Sequence, residues 1–130
     1  MKKMLFITLA ILFFYPVMLN AAEQEHIWIA VAANSKSAQA SVSNKAAKCP
    51  YYLIFNNKGE LIEVVDNPYG DASGGAGPLA ANFLARRGIT IVIAGNFGSK
   101  MVNTLENKNI AHFEFTGIAD NAVKKVLKLN

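Results

Sequence analysis

GPLAANFLARRGITIVIAGNFGSK, residues 77–100, is the stretch that decides how this chain folds. Pro78 stands where a helix opens, because proline lacks only an N–H that a first turn leaves unpaired. Leu79, Phe83 and the intervening alanines give one apolar helical face, which ends at Arg87-Gly88. Thr90–Ala94 (TIVIA) is then almost continuously apolar and β-branched, the pattern of a strand covered on both faces in a parallel sheet. Gly95-Asn96-Phe97-Gly98 interrupts it, and Ser99 is placed to cap a second helix running to about Lys108. Helix, buried strand, glycine loop and helix together are the units of an α/β sheet.

Upstream, Ile27–Ala32 (IWIAVA) is a further buried strand. The segment Ala33–Cys49 is small and polar, a long loop of the kind that is more often functional than idle. Tyr51–Asn56 and Leu61–Asp66 are two strands joined through Lys58-Gly59, which suits a tight hairpin. Asn67–Gly77 is rich in chain breakers. Downstream, Ile110–Phe115 reads as a fifth strand, and Thr116 or Gly117 opens a final helix, apolar at Ala119, Val123, Val126 and Leu127. The order βββαβαβα predicts one mixed five-stranded sheet with helices on both faces. Two antiparallel reversals followed by right-handed parallel crossovers give the strand order 3-2-1-4-5.

The first residues belong to another kind of segment. Met1-Lys2-Lys3 is basic, Met4–Leu19 is apolar apart from Thr8 and Pro16, and Asn20-Ala21-Ala22 follows. This is the layout of a secretory signal peptide, cleaved after Ala21 or Ala22. The apolar stretch is shorter than the roughly 20 residues that span a bilayer. The expected organisation is a leader, 1–22, and one domain, 23–130, exported to the periplasm or secreted, with no stable membrane span after cleavage. The charge changes accordingly. The whole chain has 13 Lys plus Arg against 9 Asp plus Glu; without Lys2 and Lys3 the balance is 11 − 9 = +2. Lys124, Lys125 and Lys128 read as a solvated helix face, and no aromatic–basic motif of single-strand binders is present, so nucleic acid is not an expected partner.

In the predicted topology, the loops following strands one, three and four meet at one edge of the sheet, and Cys49 returns to that edge. Ligands of open α/β sheets bind there. Seven of the nine glycines lie between residues 70 and 98. Two readings stand: the glycines make turns, or they let backbone N–H groups and helix N-termini surround an anion. Gly75-x-Gly77-x-x-Ala80 fits a dinucleotide fingerprint formally, but no acidic ribose partner follows the next strand. In Gly98-Ser99-Lys100 the Lys follows the Ser, the wrong order for a phosphate loop. Cys49, the only cysteine, is either a soft metal ligand at this edge or a small buried hydrophobe. His26 and His112 fall toward the opposite edge, so no nucleophile–His–carboxylate set assembles, and a binding protein is expected rather than an enzyme.

Asn67-Pro68 … Gly74-Gly75-Ala76-Gly77, then Phe83-Leu84, Ile91-Val92-Ile93-Ala94-Gly95-Asn96 and Gly98, resembles the dinitrogenase iron–molybdenum cofactor biosynthesis family. That family comprises NifX, the C-terminal part of NifB and the orange-protein type. Cys49-Pro50-Tyr51-Tyr52-Leu53-Ile54 is similar to its second strand, and the resemblance covers nearly all of residues 27–129. It implies a ribonuclease-H-like fold and non-enzymatic binding or carriage of an iron–sulfur or molybdenum–iron cluster. Carried over by position, Cys49, Gly74, Gly75, Gly77 and Asn96 would surround the cluster, with Asn67 and Gly98 in the same motif and Cys49 the metal ligand. Family members often carry a His-Phe-Gly-Arg segment before the second strand. This chain has Asn44-Lys45-Ala46-Ala47-Lys48 there, where Lys45 and Lys48 supply charge. The alternative within the family is an adaptor domain that binds a protein partner of the envelope without a cluster.

Overall fold

The computed structural model describes residues 26–129. The leader and its cleavage site lie outside the described residues. Five strands and three helices follow one another in the order the sequence predicts: β1 (Ile29–Ala33), β2 (Tyr51–Phe55), β3 (Leu61–Asp66), α1 (Ala76–Arg86), β4 (Ile91–Ala94), α2 (Ser99–Asn107), β5 (Ala111–Glu114) and α3 (Ala119–Leu127). The sheet order is β3-β2-β1-β4-β5. β1–β2 and β2–β3 are antiparallel, whereas β1–β4 and β4–β5 are parallel.

β1 is central and every one of its residues is fully buried, which is why its sequence is an unbroken apolar run. Its alternate residues serve two cores. Ala30 and Ala32, with Tyr52, Ile54, Val92 and Ala94, face α1 and α2 through Ala80, Ala81, Leu84, Met101 and Leu105. Ile29, Val31 and Ala33, with Leu53, Phe55 and Ile93, face α3 through Ala119, Ala122 and Val123. Two helices thus cover one face and one helix the other. Among the described residues no helix is long and apolar enough to cross a membrane.

Two local expectations are corrected. α1 begins at Ala76, so Pro78 is the third helical residue and not the first. The shift is tolerated because the N–H that proline lacks is still one of the four a helix leaves unpaired. Ser99 does not cap α2 with its side chain; Gly98 is the N-cap, and no side-chain cap hydrogen bond forms. The long segment after β1 is ordered by backbone bonds across the carboxyl edge. Ser43 N–H donates to Ala32 O (2.8 Å), Gly95 N–H to Ser43 O (2.8 Å) and Ala46 N–H to Asn96 O (3.2 Å).

Candidate functional site

α1 and α2 lie side by side on one face, and both begin at the carboxyl edge of the sheet. Gly75 caps α1 in the left-handed region, φ 70° and ψ 14°, where a side chain would be strained. Gly98 caps α2 with an extended backbone, φ −74° and ψ 151°. Neither helix has a side-chain cap, and neither has an acidic residue in its first turn. Each therefore presents unpaired N–H groups and the positive end of its dipole with nothing local to offset them.

Gly77 sets how near the two helix starts lie. A Cβ there would stand 3.1 Å from both the backbone N and the Cβ of Met101. A methyl here would push the first turn of α2 back by a few tenths of an ångström, so the bare hydrogen lets α1 rest closely against it. A crevice of about 390 Å³ opens at this junction, lined by Gly75, Ala76, Gly77 and Pro78 of α1, by Gly98, Ser99, Lys100 and Met101 of α2, and by Ala47 and Lys48. Lys48 and Lys100 are exposed, and neither belongs to an ion pair among the described residues. A volume of a few hundred Å³ suits a small ligand or compact cluster.

The wall carrying Lys48 is held from behind. The Asn67 Nδ2 donates to the carbonyls of Ala47 and Cys49, both at 2.8 Å, and Asn67 Oδ1 accepts from Tyr69 N–H at 3.0 Å. Gly95 is a second close approach: a Cβ there would come within 2.4 Å of Asn44 Oδ1, so the segment before β2 lies directly on the β4–α2 loop.

Cys49 lies behind the wall. It is fully buried in the core shared with α1 and α2, and it does not line the crevice. Its thiol donates weakly to Ala46 O (3.8 Å), the carbonyl that also accepts the Tyr52 hydroxyl (2.6 Å). Burial pushes the thiol up from 9.0 to about 11, against smaller opposing hydrogen bonds from Tyr52 and Asn67. Burial likewise raises Tyr52 well above the ordinary phenol range, with Cys49 adding to the effect. A thiol of this kind stays protonated at neutral pH as long as no metal displaces its proton.

Of the residues singled out from the sequence, Gly75, Gly77 and Gly98 line one crevice, joined by Lys48. Gly74 and Asn96 are exposed beside it without lining it, and Asn67 and Cys49 stand behind it. The sequence offers Ser99 as a helix cap and, with Lys100, as a phosphate-loop pattern in the wrong order, and neither reading places them in a site. Their signal was their place in the first turn of a helix that follows a glycine. His26 stacks on Trp28 at the amino edge, as expected, but His112 is reached by Phe97 of the β4–α2 loop, with ring centroids 5.1 Å apart. Neither His lines the crevice. Among the described residues no group of three His, Cys, Asp or Glu is arranged to hold a metal ion.

The glycine-rich junction of two helix N-termini thus lies at the carboxyl edge of a mixed sheet in an α/β domain of this order. The chain belongs to the dinitrogenase iron-molybdenum cofactor family, whose model matches residues 27–129. It is similar to the apo form of the orange protein from Desulfovibrio gigas, at 25% identity and a TM-score of 0.74, over 81% of this chain and 91% of that one. It is also similar to a proposed NifB protein from Thermotoga, at 26% identity and a TM-score of 0.67, over 78% and 88% of the respective chains. A proposed dinitrogenase from Methanocaldococcus jannaschii, 16% identical with a TM-score of 0.55 over 81% and 91%, shares the fold. No curated protein matched the chain by sequence.

Proposed function

We propose that this protein binds and carries an anionic metal–sulfur cluster, of iron–sulfur or iron–molybdenum type, in the crevice between the starts of α1 and α2. The observation that carries this reading is the junction itself. Two uncapped helix N-termini without first-turn acids are pressed together at Gly77 and Met101, between Lys48 and Lys100. Among the described residues no first-turn acid or ion pair offsets this positive charge, and an anion placed there is stabilised by both dipoles and both ammonium groups. The donor set fits a group whose own sulfides satisfy its metals and whose outer surface is negative, because backbone N–H groups and lysines donate to such a surface without supplying a ligand. It requires no protein thiolate, and Cys49 is fully buried outside the lining of this crevice. The protein acts in this reading as a carrier and not as an enzyme.

The leader at 1–22 sends this domain out of the cytoplasm in our reading, to the periplasm or beyond. Amino-terminal sequencing of the protein recovered from its host tests that directly: a start at Ala22 or Glu23 is expected, and an intact Met1 with cytoplasmic fractionation overturns it. For the binding function, anaerobic incubation with tetrathiomolybdate, or with iron and sulfide, should give visible charge-transfer absorption that co-elutes with the protein. A protein that takes up neither species overturns the carrier reading and favours the adaptor within the same family.

A further inference from the structure

We infer that Asn67 is a positioning residue that holds Lys48 in the crevice wall, and that it does not touch the bound anion. The inference rests on the crevice being the binding site. An amide NH₂ has two hydrogens, and both are committed, to Ala47 O and to Cys49 O at 2.8 Å each. These two carbonyls flank Lys48 in the chain. Fixing both of them pins the Lys48 backbone on either side, and Lys48 lines the crevice while its neighbour Cys49 does not.

The other end of the amide works on a different segment. Asn67 Oδ1 accepts from Tyr69 N–H at 3.0 Å, turning the chain that leads from β3 to Gly75. The Asn67 backbone N–H donates to Pro50 O at 3.0 Å. One side chain therefore ties the cationic wall to the loop that ends at the α1 N-terminus. Aspartate in this place would turn a carboxylate toward two carbonyl oxygens, and serine would supply a single donor for two acceptors.

A double-mutant cycle tests the link, with the purified protein titrated anaerobically with tetrathiomolybdate. Asn67→Ala should weaken binding about tenfold, the size expected from losing a pair of hydrogen bonds that order the wall. Against a Lys48→Ala background the same substitution should cost little more, because the residue it positions has already gone. Full additivity would show that Asn67 acts without Lys48 and would overturn the inference, as would unchanged affinity in Asn67→Ala alone. Amide hydrogen exchange in the absence of any anion gives an independent arm. Faster exchange at residues 46–49 is expected in Asn67→Ala, or in Asn67→Ser should the alanine variant not fold. If the wild-type protein takes up no tetrathiomolybdate, the crevice reading fails by itself. The exchange arm then decides the Asn67–Lys48 link, with unchanged protection at 46–49 overturning it.

Discussion

The α1–α2 pair carries basic residues at both ends, and the two ends mean opposite things. At the C-terminal end Arg86 lies in the last turn of α1, Arg87 caps it while pairing with Glu63, and Lys108 caps α2. Cations there face exposed helix carbonyls, so each is stabilised by the dipole it adjoins. At the N-terminal end Lys48 and Lys100 adjoin two positive helix ends, with no acid in either first turn. The same residue type is locally compensated at one end and uncompensated at the other. Basic side chains near a helix end thus point to a ligand only when the helix end has the same sign.

Gly77→Val should break the contrast most severely. Its added carbons meet the Met101 backbone, prise the two helix starts apart and cover one of their donors. Loss of detectable anion binding is expected in the titration, with about 1–3 kcal/mol of destabilisation in denaturant melts from overpacking.

Alkaline pH probes the interior just behind the crevice. The folded thiol of Cys49 titrates near 11 against an ordinary 9.0, so above pH 9 the unfolded state releases a proton that the folded state keeps. Stability is therefore unaffected below about pH 9 and falls as pH rises toward 11, by at most about 1.4 kcal/mol per unit from this group. Tyr52, raised in the same direction, adds to the fall above its ordinary range. Cys49→Ala should flatten the fall between pH 9 and 11 in urea melts while leaving anion binding intact. Weakened binding in that variant would contradict the separation of core thiol from crevice.

Gly98→Asp should move stability and binding in opposite directions. The extended backbone at Gly98 accepts any residue, and a Cβ there meets nothing within 4 Å. A carboxylate at this N-cap supplies the missing compensation for α2, worth about 0.5–1 kcal/mol of added stability. It also occupies donors the anion needs, so affinity should drop about tenfold as the melting temperature rises. A variant that gains stability without losing binding would show that the α2 N-terminus is not part of the site. The smallest effect belongs to the other end of the pair. Arg86→Ala should leave anion binding unchanged and cost only about 0.3–1 kcal/mol in a thermal melt, the size of a surface charge–dipole interaction.

The fold was readable because its deciding strands are extreme. β1 and β4 must be apolar on both faces to lie beneath helices on either side, and that requirement shows as IAVAA and IVIA. The general place of the crevice was also readable, since glycines accumulate after strands three and four. Individual roles were less so. Cys49 and Lys48 are neighbours in the chain, yet one faces the core and the other the crevice, and no spacing rule separates a ligand from a buried thiol. Asn67 looked like a contact residue because it opens the motif, whereas its amide is spent on Ala47, Cys49 and Tyr69.

Hydrophobic periodicity and breaker placement are local properties, and by themselves they determined the elements, their order across the sheet and the edge where the loops collect. What only the tertiary structure decided is which of those loop residues meet. Gly77 meets Met101 across 24 positions of chain, and Lys48 arrives at the same point from before the second strand. The physical reason is that helix-end charge and depth of burial belong to packed surfaces. A glycine becomes part of a site only when another element comes close enough to need its missing side chain.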